Sequence, residues 1–356
     1  MKRVVILCVW LFSVGAGHAQ LSLDECRRLA RENYPEIRQY DLVHQTEQYN
    51  LSNAARAWIP QIAFSAQATW QTDAPNFPKE LTGMLAQQGL EIPGLRKDQY
   101  KVALELNQTI WDGGKSVADK RIARAEAAEQ KTMTDVDLYE LEGRVDDLYF
   151  GILLLDERIA QTNLTLNLLR SNLEKVRALQ RNGVAMQSDA DVLEAELLSV
   201  GQQLIQFESS CDSYRRMLGI FIGQKVGDRK LQRPSAVQPL SGESARPELA
   251  MFAAKIDRLT AQEKMVKSSS MPRLGFFAQG YYGYPGLDYM QSMMNSDWSW
   301  NAMLGVKLSW NFGAYYTQKN NLNKLRISRQ QVEVQRDVFL FNMNLTASAR
   351  DCSALT

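Results

Sequence analysis

Histidine is almost missing from this chain: its 356 residues hold two, His18 and His44. Imidazole catalysis and histidine-rich zinc sites both need partners that are not there. Cysteine is scarce as well. Cys8, Cys26, Cys211 and Cys352 show no metal-ligand spacing. Neither sign of charge is in excess, with 41 Lys and Arg against 40 Asp and Glu. A near-neutral chain is a poor nucleic-acid binder, so no nucleic-acid partner is expected. After residue 20 no apolar run reaches the ~18 residues that mark a spanning helix. No nucleophile–base set or phosphate loop stands out either. The expectation is a protein that is not an enzyme and takes no cofactor.

The first residues read as an export signal. Lys2 and Arg3 give a charged start, Val4 to Val14 an apolar run, and Gly17-His18-Ala19 a small-residue cleavage site. The run is too short for a membrane anchor, so the mature chain is expected to begin at Gln20. Cys8 lies too early, after Leu7, to be a lipid-modified cysteine. Without Lys2 and Arg3 the balance is 39 to 40 (41 − 2 against 40). Cys26 and Cys211 are open to pairing or to staying free in an oxidising compartment. His44, left alone after export, falls on a helical seam and reads as a packing residue.

What the chain does hold is one unit written twice. Trp58-Ile59-Pro60-Gln61-Ile62-Ala63-Phe64-Ser65-Ala66-Gln67 matches Ser270-Met271-Pro272-Arg273-Leu274-Gly275-Phe276-Phe277-Ala278-Gln279 at an offset of 272 − 60 = 212. The same offset aligns Pro35-Glu36-Ile37 with Pro247-Glu248-Leu249. In each copy a helical period runs into the proline and a strand period runs out. Proline disfavours helix at the residue before it and has no N–H for a helical ladder. Pro60 and Pro272 are therefore helix-to-strand switches.

Ser22-x-x-Glu25 predicts the start of a first helix. After Pro35 a seam at 3–4 spacing follows: Ile37, Tyr40, His44, Glu47, Leu51, Ala54 and Trp58. From Ile62 the period becomes 2, with Ile62, Phe64, Ala66, Ala68 and Trp70 on one side. That is about the length of a tilted strand crossing an outer membrane. Residues 73–99 read as a loop. Val102, Leu104, Leu106 and Ile110 give a return strand ending in Trp111-Asp112-Gly113-Gly114. A helix is predicted from Lys115 to Gln180, roughly 100 Å long at ~1.5 Å per residue. Leu138, Leu141, Val145, Leu148, Ile152, Leu155 and Ile159 step 3-4 along it, and Leu166, Leu169, Leu173 and Val176 resume the series. A seven-residue apolar repeat means a left-handed coiled coil. Arg181-Asn182-Gly183 ends the helix with glycine as its cap. Ser188-x-x-Asp191 starts an antiparallel arm, with its seam at Leu193, Leu197, Val200, Leu204, Phe207, Cys211, Tyr214 and Leu218.

Past a linker, the second copy runs as a helix from Pro247 to Ser270, a strand from Leu274 to Tyr282 and a loop from Tyr284 to Asp297. In its last strand Trp298, Trp300, Ala302, Leu304, Val306, Leu308 and Trp310 face one way. Ser299, Asn301, Met303, Gly305, Lys307, Ser309 and Asn311 face the other. Gly313 matches Gly113 at an offset of 200 (313 − 113), and a helix begins near Tyr315. Trp58, Trp70, Trp111, Trp298, Trp300 and Trp310 all lie in or beside a predicted strand, as in the aromatic girdles of outer-membrane barrels. Four strands cannot close such a barrel, and open edges are not tolerated in lipid; three copies would supply twelve strands.

Over nearly all of residues 21–350 the chain resembles the TolC-like outer membrane efflux protein family. The duplicated Pro-strand unit carries the resemblance, with Gln108-Thr109-Ile110-Trp111-Asp112-Gly113-Gly114, Leu308-Ser309-Trp310-Asn311-Phe312-Gly313, and the tip from Arg181-Asn182-Gly183-Val184 through Ser188-Asp189-Ala190-Asp191-Val192-Leu193-Glu194-Ala195-Glu196. It implies a mainly α fold with β. Long antiparallel coiled-coil hairpins would form a tunnel into the periplasm, and four strands per chain a homotrimeric twelve-stranded barrel in outer-membrane lipid. The implied function is a passive exit duct for efflux or type I secretion, docked on a periplasmic adaptor protein and an inner-membrane pump or exporter. A periplasmic adaptor is the rival, since it too carries a long hairpin; adaptors do not duplicate it beside Trp-rich strands.

The expected organisation is a signal peptide (1–19), a first repeat (20–218), a linker (219–245) and a second repeat (246–356). Arg181, Gly183, Val184, Ala185 and Ser188 match the family's adaptor-docking tip; a solvated turn is the other reading. Asp191 is a candidate gate residue or, alternatively, a helix-dipole cap. Gly113, Gly114 and Gly313 are strand-to-helix turns. By the 200-residue offset a second tip would fall near 183 + 200 = 383, beyond Thr356. The chain is thus expected to lack a returning arm, leaving Leu322, Leu325, Val332 and Phe339 without a partner helix.

Overall fold

A computed structural model describes residues 20–89, 92–227, 229–234 and 246–354. The expected signal peptide (1–19) and linker residues 235–245 lie outside the described residues. The order is α1 (Leu23–Asn33), a 3-10 turn (Pro35–Arg38), α2 (Gln39–Arg56), β1 (Gln61–Trp70), α3 (Lys79–Gln87), β2 (Asp98–Trp111), α4 (Lys115–Arg181), α5 (Gln187–Ile222), α6 (Pro247–Ser269), β3 (Arg273–Tyr284), α7 (Tyr289–Met294), β4 (Ser299–Ser309) and α8 (Ala314–Ala354). Pro60 and Pro272 each stand one residue before a strand, as expected of the switches. The two loops read between strands each hold a short helix, α3 and α7.

The chain divides into two compact units, residues 1–40 with 133–248 and residues 41–132 with 249–356. In the first unit the coiled-coil seam is the core. Leu138, Leu141, Val145, Ile152, Leu166 and Leu173 of α4 are buried, as are Val200, Cys211 and Leu218 of α5. Full burial of such a side chain contributes about 1.5–3 kcal/mol. Cys26 and Ala30 of α1 join this core with Leu21, Tyr149, Ile222, Val226 and Leu231. Cys26 and Cys211 are both buried free thiols. Burial pushes the Cys26 thiol up to about 12.

Polar groups fix what the apolar seam leaves free to slide. Ser22 Oγ accepts from Glu25 N at 3.2 Å, the expected cap of α1. Arg27 holds Asp146 of α4 through two bonds of 2.7 and 2.6 Å. The Tyr149 hydroxyl lies 2.8 Å from Leu21 O and 2.6 Å from Gln232 O, joining α4 to the segments before α1 and after α5. Arg215 does most. Its Nη2 donates to both oxygens of Asp156 at 3.0 and 2.8 Å. Its Nη1 donates to Gly227 O and Arg229 O at 2.8 and 3.1 Å. Nε points to Cys211 Sγ at 3.3 Å. One planar fork thus ties α4, α5 and the chain after α5 together.

In the second unit Trp310 Nε1 donates to Ser270 O at 3.0 Å and Gln318 Nε2 to Ser270 Oγ at 2.8 Å. The Phe252 and Phe339 rings lie 6.0 Å apart. Leu322, Leu325, Val332 and Phe339 are half-buried. The expectation that this seam stands unpartnered fails at Phe339, where α6, which precedes β3 in the same repeat, meets it. His44 also departs from its reading. No residue of α2 is buried, and the His44 side chain is 58% exposed, with a ring nitrogen 3.0 Å from Gln48 Nε2. Ile37, Tyr40, Glu47, Leu51 and Ala54 of the same seam are half-buried, and the Tyr40 hydroxyl donates to Asp135 of α4 at 2.5 Å.

Arg215→Ala should strip Asp156 and two carbonyls of their donor, a loss of about 2–3 kcal/mol. Arg216→Ala removes only an exposed pair with Asp212, worth less than about 1 kcal/mol. Thermal melting in detergent separates them. Equal midpoints for both variants would refute the clasp.

Candidate functional site

The four strands form one antiparallel sheet in the order β1-β2-β3-β4. Its register sorts residues by chemistry. Ile62 faces Leu106, Phe64 faces Leu104 and Ala66 faces Val102. Leu106 faces Ala278 and Val102 faces Tyr282. Tyr282 faces Trp300, Ala278 faces Leu304, Phe276 faces Val306 and Leu274 faces Leu308. All of these project from one side, and Leu304 is 75% exposed. The other side carries Gln61, Ser65 and Gln67, then Lys101, Glu105 and Asn107, then Gln279 and Tyr281, then Asn301 and Lys307. There Gln279 Nε2 donates to Glu105, and Lys101 Nζ donates to Gln279 Oε1 at 3.2 Å. Ile110 does not join the apolar rows. The register shifts between Thr109 and Trp111, a bulge that sets it aside.

Aromatic rings gather at the sheet's two ends. At one, Trp298 lies 5.6 Å from Tyr100 and 5.4 Å from Tyr282, and Tyr282 lies 4.9 Å from Trp300. At the other, Trp310 and Phe312 are 4.6 Å apart. Such an apolar, girdled, exposed face is suited to lipid and ill-suited to water.

At the hairpin tip Gly183 adopts φ +70°. Val184 N donates to Leu179 O at 3.0 Å and Gly183 N to Gln180 O at 2.9 Å. This pair of bonds is a Schellman closure, and it explains the glycine. The turn brings Arg181, Gly183 and Val184 together with Ala185 and Ser188. Val184 and Met186 are each 74% exposed. The start of the return arm differs from its reading. Met186 is the N-cap, and its N–H donates to Asp189 Oδ2 at 3.0 Å. Ser188 therefore sits inside the first turn and does not cap it. Asp191 accepts from Gln187 Nε2 at 2.7 Å, one turn into α5. Arg177 of α4 reaches Glu194 of α5 at 3.1 Å.

A family model described as "Outer membrane efflux protein" matches residues 27–223, more than half of the chain. The chain belongs to that family. Solved structures share its fold. VceC from Vibrio cholerae superposes with a TM-score of 0.65 at 14% identity, covering 90% of this chain and 75% of that one. CusC gives 0.65 at 14%, covering 91% and 73%. The open-state MtrE channel of Neisseria gonorrhoeae gives 0.56 at 14%, covering 88% and 68%. No curated protein sequence matches. As an outer membrane efflux protein, the chain is placed in the outer membrane as a channel subunit. Its described residues contain no helix long and apolar enough to cross a membrane and no group of three His, Cys, Asp or Glu that could hold a metal.

The strand-to-helix turns of this efflux protein pair differently from the sequence reading. Asp112 Oδ1 accepts from Gly114 N at 2.9 Å, and Asn311 Oδ1 accepts from Gly313 N at 3.1 Å. The equivalent of Gly313 is thus Gly114, at an offset of 313 − 114 = 199, which also aligns Trp111 with Trp310. Gly113 and Gly114 have φ of +70° and +85°, whereas Gly313 is not in that region. A Cβ on Gly113 would stand 2.6 Å from Met271 Cβ and 3.1 Å from Pro272 O. The turn of one repeat therefore packs on the switch of the other. Sequence reasoning missed Asp112 itself. Its Oδ2 accepts from Ser116 N at 2.7 Å and from Ser116 Oγ. Burial acts to raise its pKa, but the bonds from Ser116 and Gly114 outweigh burial and hold it below the ordinary carboxylate value.

A depressed carboxylate stabilises the fold above its unfolded pKa and loses that contribution as pH falls through the folded value. The native protein should therefore weaken below about pH 4. Asp112→Asn keeps the bond to Gly114 but turns an amide donor toward the Ser116 donors, costing about 1–3 kcal/mol near neutrality. Its acid arm should be flatter. Thermal midpoints measured against pH check both, and parallel curves would exclude a role for Asp112.

Proposed function

We propose that three copies of the chain close their sheets edge to edge into a twelve-stranded barrel, continued by a helical tunnel into the periplasm. Cargo leaves through it passively. One observation carries this reading: a sheet with an apolar face, a polar face and, among the described residues, nothing paired to the outer edges of β1 and β4. Lipid cannot satisfy unpaired backbone groups, so β4 of one copy pairs with β1 of the next. The helices support the same closure. Beyond their buried seams, Leu164 and Leu168 of α4, Leu198 and Ile205 of α5, and Ile327, Val334, Val338, Phe341 and Leu345 of α8 are exposed. The α8 stripe steps 7, 4, 3, 4, the spacing of a second coiled-coil seam. Neighbouring copies cover it.

In this reading the energy comes from an inner-membrane pump or exporter, reached through a periplasmic adaptor. The adaptor docks on the tip, where Val184 and Met186 offer exposed apolar side chains beside Arg181 and Ser188. Asp191, one turn into α5, supplies a carboxylate for a closed-state contact between copies.

Two measurements test this. An Arg on the lipid face near mid-bilayer costs about 2–4 kcal/mol, so Leu304→Arg should abolish heat-modifiable trimers in the outer membrane, while Met303→Arg on the polar face keeps them. Equal tolerance would sink the barrel. Val184→Asp should leave trimers intact and remove export in cells that depend on this duct; unchanged export would show that the tip does not dock.

A further inference from the structure

The connection between β3 and β4 does not extend away from the sheet. It folds back over the polar face. Leu287 N donates to Asn301 Oδ1 at 2.7 Å. Asn301 Nδ2 donates to the carbonyl and the hydroxyl oxygen of Ser299, both at 3.0 Å. Asn301 and Ser299 lie on the polar face, opposite Tyr281 and Gly283. Gly286 packs so closely there that a Cβ would collide with Ser299 Oγ and stand 3.1 Å from Asn301 Oδ1. Tyr281, on the same face, is only 7% exposed. Lys101 Nζ lies 4.6 Å from its ring centroid.

The fold-back is anchored. Asp288 Oδ1 accepts from Gln291 N at 2.9 Å and starts α7. Ser292 Oγ donates to Asp288 O at 2.8 Å and accepts from Gly286 N at 3.1 Å. The Tyr284 hydroxyl donates to Ser292 O at 3.2 Å and accepts from Arg96 N, in the β1–β2 connection, at 3.0 Å. Leu287, Met290 and Met294 nevertheless stay exposed. A held loop thus presents apolar side chains over the end of a polar surface. Helices α4 and α8 leave from the opposite end of the sheet, so this end is the outer mouth.

We infer that this loop is a fixed constriction. The three copies of α7 meet across the outer mouth, and Leu287, Met290 and Met294 form an apolar rim that limits the size of what passes. The inference rests on the twelve-stranded barrel proposed above. Twelve strands ~4.8 Å apart and tilted ~40° give a circumference of about 75 Å and a backbone diameter of about 24 Å. A helix with its side chains is about 10 Å across, and three such cylinders fill a circle of about 22 Å. Inward side chains narrow that bore further, so three copies of α7 are wide enough to span it. A narrow apolar ring also resists wetting, which excludes hydrated solutes. Asn301 and Gly286 act as positioning residues.

The test labels a lumen cysteine from outside intact cells, where the periplasmic end of the duct has no influence. Met303→Cys lies on the polar face, two residues from Asn301. A small maleimide should label it in trimers with the native loop, and a polymer-linked maleimide should not. Replacing residues 287–294 by a short Gly-Ser link should speed the polymer reagent at least about ten-fold. Polymer labelling that is fast with both loops, or slow with both while the small reagent reacts, overturns the constriction and leaves the barrel standing. Failure of both reagents with both loops means that Met303 lines no water-filled lumen, and the barrel reading falls first. Should the shortened loop not assemble, Met290→Cys decides instead: oxidised trimers should carry a disulfide between copies, and its absence from intact trimers refutes the inference.

Discussion

A backbone N–H or C=O in hydrocarbon has no water to turn to, and the whole arrangement depends on that. The four-stranded sheet satisfies its inner ladders from within one chain. Among the described residues nothing pairs with the outer edges of β1 and β4. In water such edges invite aggregation; in lipid each unmade bond costs several kcal/mol. The apolar face suits the sheet to lipid, and in the proposed barrel the edges then bind one copy to the next. In that barrel, folding and assembly are the same problem for this half of the chain. The helices pose a weaker version of it. Their second apolar stripes are exposed rather than unbonded, so their burial adds stability without being obligatory.

The repeats share a plan but not its chemistry. Both copies turn from strand to helix through an Asx residue whose Oδ1 accepts from the N–H two residues on. Only the first copy uses an ionised side chain, and only there do two left-handed glycines follow. The cause is crowding. In the first copy the turn sits against Met271 and Pro272, which leaves no room for a Cβ and buries the Asx side chain. A buried side chain needs both oxygens satisfied, so Ser116 supplies two donors. In the second copy Asn311 is exposed, and one bond suffices.

Periodicity made most of the fold legible. Strands β1 and β4 were visible because lipid on one side and a polar surface on the other force a strict period of 2. The α4 seam was visible because a helix paired along its length must repeat every seven residues. Elements held by side chains and turns around them, rather than by their own period, were not visible. Helix α7 has six residues, too few to nucleate alone, and it is held by Tyr284, Gly286 and Asp288. Helix α3 sits between prolines that read as loop. The N-cap of α5 was misplaced by two residues, because Asp189 and Asp191 both offer a carboxylate and only geometry selects one. Arg215 gave no signal: a lone arginine on a helix is ordinary until Asp156, Gly227 and Arg229 converge on it.

The held loop and the hairpin tip meet opposite demands with the same materials. Both show exposed apolar side chains, Met290 and Met294 in one, Val184 and Met186 in the other. At the tip the backbone closes on itself, through bonds from Gly183 and Val184 to the last turn of α4. Among the described residues the bonds that close the tip stay within the hairpin, so in the proposed reading its apolar surface can follow a partner that moves. At the mouth the loop is tied to a sheet strand through Asn301 and to a second loop through Tyr284 and Arg96. A surface held from two sides cannot follow anything. In the proposed constriction it excludes. In the proposed readings, the difference between a docking surface and a filter therefore lies in the anchoring of the backbone rather than in the apolar residues displayed.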